Sequence, residues 1–67
     1  MCRSIKTLHR AGEPATPEEI HAAALQFVRK VSGYRAPSQV NAGAFEAAVG
    51  EVAAVSARLL EALTPRR

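Results

Sequence analysis

The chain has 67 residues, a net charge of +3 and one cysteine, Cys2. That length holds one domain at most, and no intrachain disulfide can brace it. Cys2, His9 and His21 are too few for a closed four-ligand zinc site, and no apolar run approaches the roughly 20 residues of a bilayer span.

Residues 1–15, MCRSIKTLHRAGEPA, form the first segment, and Gly12 and Pro14 punctuate its end. Cys2, Ile5 and Leu8 recur every three residues between Arg3, Lys6 and Arg10. The pattern fits one helical turn or an extended segment pinned by Ile5 and Leu8, and the expectation is a basic N-terminal arm lying over the hairpin. It carries positive charge without an apolar h-region, so no signal peptide is expected. A cytoplasmic location is the expectation, and an unpaired cysteine suits a reducing compartment.

Thr16-Pro17-Glu18-Glu19 is the clearest local signal. Thr16 suits the N-cap, Pro17 the first helical position, and Glu19 completes a capping box. The spacing predicts a helix over 17–32, stopped by Gly33 in a left-handed conformation, with Arg29 and Lys30 complementing its negative end. Ile20, Ala24, Phe27, Val28 and Val31 share one face of it, Gln26, Arg29 and Lys30 lie opposite, and Leu25 falls off the stripe.

Residues 33–37 make a short connection, which favours antiparallel neighbours. A second helix is expected over 38–63, capped by Ser38 or by Asn41 and ended by Pro65. Phe45, Val52 and Leu59 recur every seven residues. Ala48, Val55 and Ala62 form a companion row, widened by Val49 and Leu63, and together these are the expected seam. Leu60 lies off it. Gly43 and Gly50 either permit close helix approach or are tolerated surface positions.

The fold class is therefore all-α: an antiparallel two-helix hairpin over residues 16–67, with a short C-terminal tail and the arm over 1–15. Much of the apolar content is alanine, which favours helix but brings little area to bury. So thin a core favours completion into a helical bundle by self-association. Leu25 and Leu60, the off-stripe leucines, are the candidate subunit contacts.

Three stretches, MCRSIKTL, TPEEIHAAALQFVRKVSGY and PSQVNAGAFEAAV, together resemble domain-of-unknown-function family 2277, a family of short bacterial proteins. The likeness covers about residues 1–63. It rests on Met1-Cys2-Arg3, on the run from Val28 to Gly33, and on Pro37, Ser38 and Asn41. The resemblance supports the element boundaries and implies no activity.

The residues themselves offer two kinds of chemistry. With Met1 removed, Cys2 would carry an amine beside a thiol, with Arg3 and Lys6 near enough to favour the thiolate. A nucleophile needs a base, and His9 and His21 have no evident acidic orienter apart from Glu18, so a buried arm anchor is the ordinary reading of Cys2. Arg3, Lys6 and Arg10 on the arm, with Arg29, Lys30, Tyr34 and Arg35 after the first helix, could hold a phosphate backbone and stack a base. They make one surface only if the arm folds back to the Gly33 loop. Otherwise they are dipole-complementing charges and a solvated tail. No phosphate loop, catalytic triad or cofactor motif is present in the sequence, and a two-helix unit offers little concavity. A non-enzymatic interaction module, with no cofactor and no membrane partner, is the expectation; nucleic-acid or ribosome-associated binding is one alternative, and thiol or metal chemistry at an exposed N-terminal Cys2 is the other.

Overall fold

A computed structural model describes residues 7–10 and 12–63. Helix α1 spans Pro17–Ser32, a single 3₁₀ turn covers Gln39–Asn41, and helix α2 spans Ala42–Ala62. The two helices pack against each other as an antiparallel hairpin. No strand occurs among the described residues.

Helix α1 begins and ends as its sequence dictates. The Thr16 hydroxyl accepts from the Glu19 N–H at 3.1 Å, and a Glu19 carboxylate oxygen accepts from the Thr16 N–H at 2.9 Å. This reciprocal box satisfies two amides that have no carbonyl partner within the helix. At the other end Gly33 takes φ +80°, and its N–H donates to the Arg29 carbonyl at 2.9 Å. A β-carbon would be strained at that φ, so glycine suits the stop.

Helix α2 starts differently from the expectation. Ser38 precedes the 3₁₀ turn and Asn41 precedes the α-helix proper, and neither caps through its side chain. The Asn41 amide instead donates from Nδ2 to the Tyr34 hydroxyl at 3.3 Å, which ties the connection to the start of α2. The Asn41 N–H donates to the Ser38 carbonyl at 3.0 Å. At the far end the Leu63 N–H donates to the Leu59 carbonyl at 3.1 Å.

The core is Ala24 and Val28 of α1 against Phe45 and Val49 of α2. Leu25, Ala48, Val52 and Ala53 pack around them. Ser56 is half-buried on the same side of α2, and its hydroxyl is satisfied by donating to the Val52 carbonyl at 2.7 Å.

The real contact lies about one helix edge away from the expected apolar stripes. In α1, Leu25 lies against the core while Phe27 is 48% and Val31 71% exposed. In α2, Val55 and Leu59 are each 55% exposed, and Leu60 turns inward to half-burial. The physical reason is width. Each helix carries an apolar band broader than one partner helix covers, so the band divides into a covered edge and an open edge. Gly43 and Gly50 play no part in close approach, because a β-carbon at either would meet nothing within 4 Å.

Candidate interaction face and the basic residues

The open edges of the two helices lie together. Phe27 and Val31 of α1 and Tyr34 of the connection border one shallow groove with Ala44, Ala48 and Val52 of α2. No charged side chain among the described residues lines it. Val55 and Leu59 extend the same stripe towards the C-terminal end of α2, three and seven residues past Val52. Of the charged residues of α2, Glu46 and Glu61 fall on other sides of the helix, while Glu51 and Arg58 flank the stripe.

The opposite side of the hairpin has a different chemistry. There His21, Arg29, Arg35 and Glu46 border a shallow hollow over Leu25 and Val49. Arg29 donates from Nε to the Arg35 carbonyl at 2.8 Å, folding the connection back over the end of α1. The Tyr34 N–H donates to the Ser32 hydroxyl at 3.1 Å. Lys30 and Arg35 are exposed, and Tyr34 is partly so.

The described part of the arm lies at the other end of α1. Arg10 donates from Nη2 to Glu19 at 2.8 Å, using the carboxylate oxygen that also closes the capping box. The same nitrogen reaches the Pro14 carbonyl at 3.4 Å, and Arg10 Nε lies 3.5 Å from Glu13. The hydrogen bond to Glu19, more than any other influence, holds the Arg10 guanidinium above its already high ordinary pKa. It is therefore charged at every pH at which a protein is handled. Leu8 borders a hollow together with Ile20, Ala57, Leu60 and Leu63.

This geometry separates the basic residues into two groups. Arg10 is fixed at the start of α1, while Arg29, Lys30, Tyr34 and Arg35 gather at its end, about 24 Å along the axis. The arm does not bring Arg10 to the Gly33 loop. Arg3, Lys6 and the thiol of Cys2 lie outside the described residues. His21 is exposed beside the Arg29 hollow, and among the described residues no group of three or more His, Cys, Asp or Glu side chains could hold a metal ion. No helix among the described residues is long and apolar enough to cross a membrane.

Leu25 and Leu60, the residues singled out for subunit contacts, are half-buried within the chain, Leu25 over the core and Leu60 at the hollow that Leu8 also borders. Sequence reasoning assigns Phe27, Val31, Val55 and Leu59 to the intrachain seam and so misses them as exposed apolar groups. Their signal is present in the breadth of the stripe, which exceeds what one neighbouring helix can cover.

A family model described as "Uncharacterized conserved protein (DUF2277)" matches residues 1–67. The chain belongs to the DUF2277 family. No curated protein and no solved structure matches it. The family description carries no activity, and the functional reading rests on the two faces of the hairpin and on the attached arm.

Proposed function

We propose that the chain is a helical interaction module that works by self-association, its working surface being the uncharged face bordered by Phe27, Val31, Val52, Val55 and Leu59. The observation that carries this reading is the contrast between that open face and the core beside it. Among the described residues the core holds four buried side chains, one of them alanine, and none is a large side chain wholly removed from water. A core of this size supplies on the order of 3–5 kcal/mol at best.

Covering the half-exposed side chains of Phe27, Val31, Val55 and Leu59 is worth about 1 kcal/mol each. A partner over this face therefore adds stabilisation comparable to that of the hairpin's own core. A second copy brings an equally uncharged surface, whereas a charged partner surface would be desolvated there without compensation. Two hairpins joined in this way make a four-helix bundle.

The face is tested by Val31→Glu, followed by size-exclusion chromatography with light scattering. Val31 is 71% exposed in the single chain, so the variant is expected to keep the hairpin. It is expected to elute as a monomer where the unmodified chain elutes as a larger species. Equal masses for the two would contradict the reading.

Nucleic-acid binding is the second reading, and Tyr34 supports it by standing partly exposed among Arg29, Lys30 and Arg35. Three cations at one helix end make a small electrostatic footprint. A gel shift with single-stranded RNA at low salt, lost when Lys30 and Arg35 are replaced by alanine, is its expected signature. No shift at low salt would remove it.

A further inference from the structure

The geometry points to a specific partner arrangement: two copies of this chain pair α2 against α2 antiparallel, with Glu51 of each copy opposite Arg58 of the other. This inference rests on the self-association reading above and adds to it a register, an orientation and a charge code.

The open stripe of α2 sets the register. Ala48, Val52, Val55, Leu59 and Ala62 are separated by steps of four, three, four and three residues, the spacing at which one helix presents a continuous seam to another. Phe45 precedes this series but is already buried against α1. Val55 and Leu59 are the exposed part of the series, and Ala48 and Val52, half-buried at the edge of the core, lead into them, so this seam is what a second helix would meet.

Size complementarity decides between the two orientations. In an antiparallel pair with Val52 opposite Val55 of the second copy, Ala48 falls opposite Leu59. The two-fold axis repeats both layers, so the contact contains two valine–valine layers and two alanine–leucine layers. Each leucine meets the small residue that leaves room for it, as close packing requires. A parallel pair in register instead sets alanine against alanine and leucine against leucine, with a gap at one layer and crowding at the next.

Charge gives the same answer independently. Glu51 and Arg58 lie seven residues apart on one flank of the stripe, and both are exposed. Neither belongs to an ion pair among the described residues. In the antiparallel register this flank of one helix runs beside the same flank of its mate, and Glu51 meets Arg58 twice by symmetry. In the parallel register this flank of one helix runs beside the opposite flank of the other, which carries Val49, Ser56 and Leu63 and no charge.

The position of α1 completes the arrangement. It packs on the side of α2 that bears Val49 and Ser56, away from Glu51 and Arg58. Antiparallel pairing brings those sides of the two α2 helices together, so both α1 helices fall on one side of the pair. Phe27 borders the groove with Ala48, so it stands at the level of the alanine–leucine layer, towards one end of the pair.

Charge reversal in the full chain tests the register, read by sedimentation equilibrium at low salt. E51R alone sets arginine against Arg58 twice, and R58E alone sets glutamate against Glu51 twice. Each is expected to weaken the dimer about tenfold, the cost of replacing two attractive surface pairs by two repulsive ones. An equimolar mixture of the two variants is expected to recover the original affinity, because every cross pair is again opposite in sign. The double variant E51R/R58E is expected to recover it alone. Both sites are exposed, and circular dichroism is expected to show unchanged helicity. A dimer whose affinity ignores the single reversals, or is weakened by them and not restored by mixing, would overturn the register while leaving self-association standing. An unmodified chain that is monomeric at every concentration would overturn both.

Discussion

Arg10 and Glu19 meet at 2.8 Å across nine residues of sequence, and through that contact the first helix's N-terminal cap also fastens the arm. The Glu19 oxygen serves two donors, the Arg10 guanidinium and the Thr16 amide. Arm docking and helix initiation therefore share one carboxylate.

Separating the two roles gives the first prediction. Arg10→Ala is expected to leave helix content unchanged and to release residues 7–15. Limited proteolysis with an enzyme that cleaves after glutamate should cut at the exposed Glu13 sooner in the variant than in the unmodified chain. Equal cleavage rates would show that Leu8 and its hollow hold the segment without the arginine.

Thr16→Ala removes the other half of the box. The Glu19 amide loses its acceptor, and a loss of about 1 kcal/mol is expected. In a chain of this size that corresponds to a fall in Tm of roughly 4–8 °C, read by circular dichroism at fixed protein concentration. Thr16→Ser keeps the oxygen and should recover most of it.

Gly50 offers a stabilising change. It lies in the interior of α2 with open space around its α-carbon, and it faces away from the stripe of Val52, Val55 and Leu59. Gly50→Ala is expected to raise stability by up to about 1 kcal/mol through helix propensity. Chemical denaturation should show a higher midpoint with an unchanged slope. A loss of stability would mean that a neighbouring group crowds the added methyl.

Phe45→Ala is expected to have the reverse effect. Phe45 is the largest side chain in the core, and its truncation costs about 3–5 kcal/mol, as much as the whole core supplies. Loss of the cooperative thermal transition at micromolar concentration is the expected outcome. A variant that still melts cooperatively near the original temperature would place the main source of stability elsewhere.

Much of this fold is legible in the sequence because its signals are local. Thr16, Pro17 and Glu19 start a helix by interactions spanning three residues, and Gly33 ends it through its own backbone angle. The division of the apolar bands is not legible, because it depends on where α2 lies relative to α1. Ile20, Ala24, Phe27, Val28 and Val31 look equivalent on a helical wheel, yet Ala24 and Val28 meet the second helix while Val31 stays largely in solvent. Leu25 and Leu60 stand out as off-stripe for the same reason and are drawn inward. The Arg10–Glu19 contact is hidden differently. Glu19 has a sufficient role as a capping residue, and no periodicity links it to a cation beyond Gly12 and Pro14.

Sedimentation equilibrium of the unmodified chain, from about 1 µM upward, tests the central claim most directly. Self-association through the uncharged face predicts a mass approaching twice the 7.1 kDa of one chain as concentration rises, reverting to one chain in Leu59→Glu. A chain that stays at 7.1 kDa throughout while remaining cooperatively folded would contradict it.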